Sequence, residues 1–87
     1  MKVAVWDTYV KRADTKIMHF DILVPETETD HNKIYQIGEA YLKTKTFETK
    51  GLSTKQCNFC HLEEPEEVIL TSISNDGFYI MELENCN

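Results

Sequence analysis

Alternation of apolar and polar side chains opens the chain. Residues 2–10, KVAVWDTYV, and residues 16–24, KIMHFDILV, are rich in β-branched and aromatic side chains and predict two strands. The polar stretch Lys11-Arg12-Ala13-Asp14-Thr15 between them leaves room only for a hairpin. Treated as a loop with an even number of residues, it sets odd positions of the first strand opposite even positions of the second. One face then carries Val3, Val5 and Tyr9 with Met18, Phe20, Ile22 and Val24, and is expected to be the core face. The other carries Ala4, Trp6, Thr8 and Val10 with Ile17, His19, Asp21 and Leu23.

Pro25 ends the second strand, and the acidic run Glu26 to Asp30 leads into a helix that Thr29 or Asp30 can cap. Ile34, Ile37, Gly38, Tyr41 and Leu42 recur at helical spacing, with Gly38 placed to let the helix approach the sheet closely. Residues 44–55 read as loop. Ser53 and Gln56 have the spacing of a capping box, which would start a helix at Thr54; a strand from Asn58 onward is favoured instead. Pro65, Glu66 and Glu67 suit the first turn of a second helix, with Ile69, Leu70 and Ile73 on its buried side and Gly77 at its end. Phe78 to Glu84 alternates as a last strand.

The expected fold is α+β, in the order β-β-α-β-α-β, as a two-layer sandwich on one mixed four-stranded sheet. The N-terminal hairpin is joined there by a C-terminal strand–helix–strand unit that pairs in parallel. All 87 residues form one domain in this reading. If both helices cover the core face, Trp6, Val10, Ile17 and Leu23 stay exposed on the other, an apolar group that suits a homodimer packed sheet to sheet.

Charge narrows the partners. Fifteen acidic against nine basic side chains leave a net charge of −6, which repels phosphate backbones and argues against nucleic acid. Lys43, Lys45, Lys50 and Lys55 cluster, but no arginine or aromatic is interleaved with them for stacking on bases. No stretch approaches a membrane span, and Asp7 interrupts the N-terminal apolar run too early for a secretory signal. A cytoplasmic protein with three reduced thiols is expected.

The opening KVAVWDTYV, the MHFDILVP string, the CNFCHLEE segment and the closing GFYIMELENC together resemble a family of short bacterial proteins known as domain of unknown function twenty-twenty-four (DUF2024). The resemblance spans essentially the whole chain. It implies a compact cytoplasmic α/β fold and brings no catalytic residue with it, the family having no assigned activity. It also implies a glycine after Asp14, in a tight turn; Thr15 stands there in this chain.

The candidate chemistry centres on Cys57-Asn58-Phe59-Cys60-His61. A C-x-x-C-H string is what covalent haem needs, yet that attachment is made on exported proteins, and no cofactor is assigned on this ground. Zinc would need a fourth ligand, for which Cys86 is available beside Cys57, Cys60 and His61. Against it, strand alternation turns Cys60 away from Cys57 and His61. A redox dithiol would need Cys57 at a helix N-terminus after a buried strand, and a lysine-rich loop precedes it instead. The plain reading makes Cys60 and Cys86 small buried hydrophobes. His19 and Asp21 share a face near Thr8 and are the weaker candidates for acid–base catalysis. Asp7 falls on the core face and is expected to accept backbone hydrogen bonds. The acids Glu63, Glu64, Glu66 and Glu67 suit a helix N-terminus. A binding or interaction module fits this inventory better than an enzyme, with a thiol-redox or zinc-dependent protein as the alternative.

Overall fold

The first hairpin sets the frame of the molecule. In a computed structural model that describes residues 2–52 and 56–87, β1 (Val3–Lys11) pairs antiparallel with β2 (Ile17–Pro25). The Ser53–Gln56 capping box, the helix start at Thr54 and Lys55 of the lysine group lie outside the described residues. Five residues, Arg12 to Lys16, connect the two strands. Arg12 and Lys16 close the loop through an N–H to carbonyl bond of 2.8 Å, and Thr15 donates to the Arg12 carbonyl at 3.2 Å. Thr15 takes a left-handed backbone, φ 75°, the geometry of a three-residue hairpin loop whose last position turns left-handed.

An odd loop pairs like parity with like. Lys11 therefore faces Ile17, Tyr9 faces His19, Asp7 faces Asp21 and Val5 faces Leu23. This overturns the expected register, in which odd positions met even ones. Ala4, Trp6, Thr8 and Val10 share a face with Met18, Phe20, Ile22 and Val24. Val3, Val5, Asp7 and Tyr9 share the other with His19, Asp21 and Leu23.

The sheet has four strands in the order β3-β1-β2-β4, with β3 (Cys57–Glu63) and β4 (Tyr79–Glu84) on the edges. Every pairing is antiparallel, so the sheet is not mixed. The C-terminal strand–helix–strand unit does not pair with itself, because the hairpin already occupies both inner positions. The helix between β3 and β4 must carry the chain from one edge to the other. Cys57 to Glu63 is strand, as favoured from Asn58 onward.

The two helices lie on opposite faces, which replaces the expected two-layer packing by helix, sheet, helix. Helix α1 (His31–Leu42), capped by the Asp30 side chain on the Asn32 N–H, buries Ile34, Gly38 and Leu42 against the Met18, Phe20 and Ile22 face. Gly38 does permit a close approach: a Cβ there would stand 3.3 Å from Ile22 Cδ1 and 2.6 Å from Leu52 Cδ2. Phe47 and Leu52, from the segment after α1, join the same core. Helix α2 (Glu67–Asp76) ends at Gly77 with φ 86° and buries Ile69 and Ile73 against Val3, Val5 and Leu23. Pro65 precedes the Glu66 cap rather than sitting inside the first turn.

The apolar face expected at an interface is therefore dispersed. Trp6 and Val10 lie under α1, Leu23 lies under α2, and of the four only Ile17 is exposed. Ten residues of helix run about 15 Å, half the roughly 30 Å of a nine-residue strand, so α2 covers one end of its face. The end carrying Asp7, Tyr9, His19 and Asp21 stays open.

Arg12 anchors the closed end of the hairpin. Although a cation, it is only 6% exposed. Its guanidinium holds Asp14 through two bonds (3.1 and 2.8 Å), donates to the Asn85 and Asn87 carbonyls (3.0 and 2.8 Å) and stacks 3.7 Å from the Phe47 ring centroid. The turn, the C-terminus and the segment after α1 thus converge on one side chain. Within that turn the left-handed Thr15 costs backbone energy that glycine does not. Replacing Thr15 with glycine should raise stability by about 0.5–1 kcal/mol. Urea unfolding measures it, and a less stable variant would show that the Thr15 side chain supports the turn.

Candidate functional site

On the open half of the sheet the central strands place three ligating groups side by side. Asp7 and Asp21 face each other across β1 and β2, and His19 lies two residues before Asp21 on the same face. The His19 Nε2 stands 3.4 Å from Asp7 Oδ1 and 3.7 Å from Asp21 Oδ1. One ligand atom from each residue lies within 4.8 Å of the other two. Tyr9, the cross-strand partner of His19, stacks on its ring at 4.1 Å with an interplanar angle of 9°, fixing the imidazole plane. Two apolar neighbours flank Asp21 on this face: Met81 opposite it on β4 and Leu23 two residues on.

Two carboxylates this close do not both ionise at ordinary cost. Burial pushes the Asp21 carboxyl up to about 7, helped by its hydrogen bond to Asp7 and by the Asp7 charge, while the charges of His19 and His61 pull the other way. Asp7 moves below the usual carboxylate range, chiefly through the hydrogen bond from Asp21 and against its own burial, with further help from His19 and the Cys60 thiol. Of the two carboxyls, Asp21 is therefore the one that takes up a proton more readily. Asp21 Oδ1 is enclosed and accepts no hydrogen bond.

Edge strand β3 borders this cluster. His61 pairs with Val5 and Glu63 with Val3, while Phe59 pairs with Trp6, so the register shifts at Cys60. His61 Nδ1 lies 3.1 Å from the Cys60 sulfur, and its Nε2 lies 3.1 Å from Glu63 Oε1. The Cys60 thiol is pushed up by desolvation against the sheet, then by the charge of Asp7, its hydrogen bond to Asp7 and the charge of Asp21.

The four-ligand set read from the sequence is not brought together. Cys57 is fully buried opposite Thr8 on the α1 side, whereas Cys60 is exposed, its sulfur beside His61 on the other side. Cys86 is buried near the C-terminus, its thiol 3.3 Å from the carbonyls of His19 and Glu84. Thus Cys86 is buried as the plain reading expects and Cys60 is not. His19 and Asp21 do share a face, and Thr8 does not join them: it is buried on the α1 side, its hydroxyl 3.5 Å from the Trp6 carbonyl. Asp7 is the residue that the sequence reading misassigned. Its expected place among core side chains followed from the even-loop register; counting five residues in the connection would have put it on the face of His19 and Asp21.

The model of the family described as domain of unknown function DUF2024 matches residues 1–83, and the chain belongs to that family. Among solved structures, the chain is similar to protein NE1680 from Nitrosomonas europaea, determined by NMR, with 29% identity and a TM-score of 0.80 over 100% of both chains. No curated protein matches the chain. Among the described residues, no helix is long and apolar enough to cross a membrane.

The carboxylate pair makes a pH prediction. A carboxyl raised in the folded state above its unfolded value near 3.8 contributes stability that is complete below that value and is lost as pH rises to about 7. The contribution of Asp7 has the opposite sign, but its window lies below pH 3.8 and does not overlap. The metal-free protein should therefore lose stability between about pH 4 and 7, and Asp21→Asn should flatten that slope. Urea midpoints across this range check it; equal slopes in the two proteins would contradict the raised Asp21 carboxyl.

Proposed function

We propose that this protein is a binding module for a divalent cation, held by Asp7, His19 and Asp21. The observation that carries the reading is the mutual approach of the three ligand atoms to within 4.8 Å on a half-buried part of the sheet. Two carboxylate oxygens and one imidazole nitrogen form a donor set suited to first-row transition ions. An ion there would offset the cost of charging Asp21 beside Asp7 and bind the enclosed Asp21 Oδ1, which accepts no hydrogen bond. The stacked Tyr9 ring orients His19 for it, much as neighbours orient metal-bound imidazoles elsewhere.

Read this way, His19 and Asp21 act as ligands rather than as an acid–base pair. The alternative, thiol-redox or zinc chemistry centred on Cys57, Cys60 and His61, has less support, because Cys57 is buried on the side of the sheet away from Cys60. The three cysteines are free thiols, which suits a reducing compartment such as the cytoplasm.

Titration calorimetry on chelator-treated protein tests the reading with zinc and manganese ions. Binding of one ion per chain is expected, weakened at least about tenfold by His19→Ala or Asp21→Asn. Absence of binding, or an unchanged affinity in both variants, would refute it.

A further inference from the structure

The irregularity in β3 gives the open face a sulfur ligand that regular strand geometry would deny it. Neighbouring residues of a strand point to opposite faces. Here Phe59 pairs with Trp6 and His61 with Val5, leaving Cys60 as the extra residue of a bulge. Bulges re-aim side chains. The Cys60 thiol accordingly lies 3.1 Å from His61 Nδ1, between the residues that pair with Val5 and Asp7, instead of turning to the α1 side with Phe59. The two other thiols are buried, Cys57 facing the α1 core and Cys86 against the His19 and Glu84 carbonyls.

Resting on the cation-binding reading of Asp7, His19 and Asp21, we propose that Cys60 is a further ligand of the same ion, and that the site takes a thiophilic divalent ion of the zinc class rather than magnesium or calcium. Two carboxylates, an imidazole and a thiolate make a four-ligand set of borderline softness, the number and kind that zinc takes in tetrahedral sites. Magnesium and calcium instead demand six or more oxygen ligands. Cys60 is exposed, so turning its thiol onto an ion bound by the Asp7 carboxylate displaces no packed side chain.

The proton has a destination. As the metal–sulfur bond forms, the S–H bond breaks and His61 Nδ1 takes the proton; Glu63 Oε1, 3.1 Å from Nε2, then faces an imidazolium. His61 and Glu63 thereby act as positioning residues for the thiolate, outside the ligand set.

Cobalt(II), a zinc surrogate with visible absorption, tests the proposal on the full metal-free chain and on Cys60→Ser, Cys60→Ala and Asp21→Asn. The parent should show the visible bands of tetrahedral cobalt together with a near-ultraviolet sulfur-to-cobalt charge-transfer band, and excess magnesium should remove neither. Both Cys60 variants should keep bound cobalt, lose the charge-transfer band and bind zinc roughly tenfold more weakly. Asp21→Asn should lose most binding. Cobalt bound without a charge-transfer band, or with a band that survives both Cys60 substitutions, overturns the sulfur ligand and leaves the three-residue site standing. A band that depends on Cys60 but is indifferent to Asp21→Asn removes the three-residue reading instead. No cobalt binding overturns both.

Discussion

The parity of the β1–β2 hairpin is the constraint on which the rest of the structure depends. Side chains alternate along a strand, so a change of one residue in the loop exchanges the faces of one strand relative to its partner. With five residues from Arg12 to Lys16, Asp7 meets Asp21 and Tyr9 meets His19; with four or six, each would meet a residue of the opposite face. The loop length is held by the left-handed Thr15 and by the Arg12–Asp14 fork, and Arg12 also binds the C-terminal carbonyls. One buried guanidinium thus ties the turn that sets the register to the end of the chain that completes the core.

From that register follows the division of labour between the faces. One is apolar on the central strands except at Thr8 and is covered by α1 with Phe47 and Leu52. The other is apolar only where α2 reaches it, at Val3, Val5 and Leu23. Beyond the end of α2 the same strands carry Asp7, Tyr9, His19 and Asp21. A longer helix would bury two carboxylates and an imidazole at high cost; the short one leaves them partly exposed. Burial nevertheless raises the energy of charge on Asp21 and pushes its carboxyl up to about 7.

Most of the fold was legible from local pattern. The order of elements, the Asp30 cap, the apolar stripe of α1, the close approach at Gly38 and the stop at Gly77 each follow from chemistry within a few residues. Pairing was less legible, since it depends on residues far apart. The expectation of a parallel C-terminal unit failed because the inner positions of the sheet were already filled. The candidate site was half legible: His19 and Asp21 announce themselves by alternation, whereas Asp7 joins them only once the loop is counted. The C-x-x-C-H string drew attention for the wrong combination of residues. Its Cys57 is a core side chain, its Cys60 lies beside the carboxylates, and the bulge that separates their fates has no signature in spacing.

A crystal structure grown in zinc, with diffraction recorded on both sides of the zinc absorption edge, tests the central claim most directly. The account predicts one strong anomalous peak per chain between the side chains of Asp7, His19 and Asp21, on the face of the sheet that α2 leaves open. A peak at the buried thiols of Cys57 or Cys86, or no ordered peak beside Asp7 and Asp21 at full zinc loading, would contradict it.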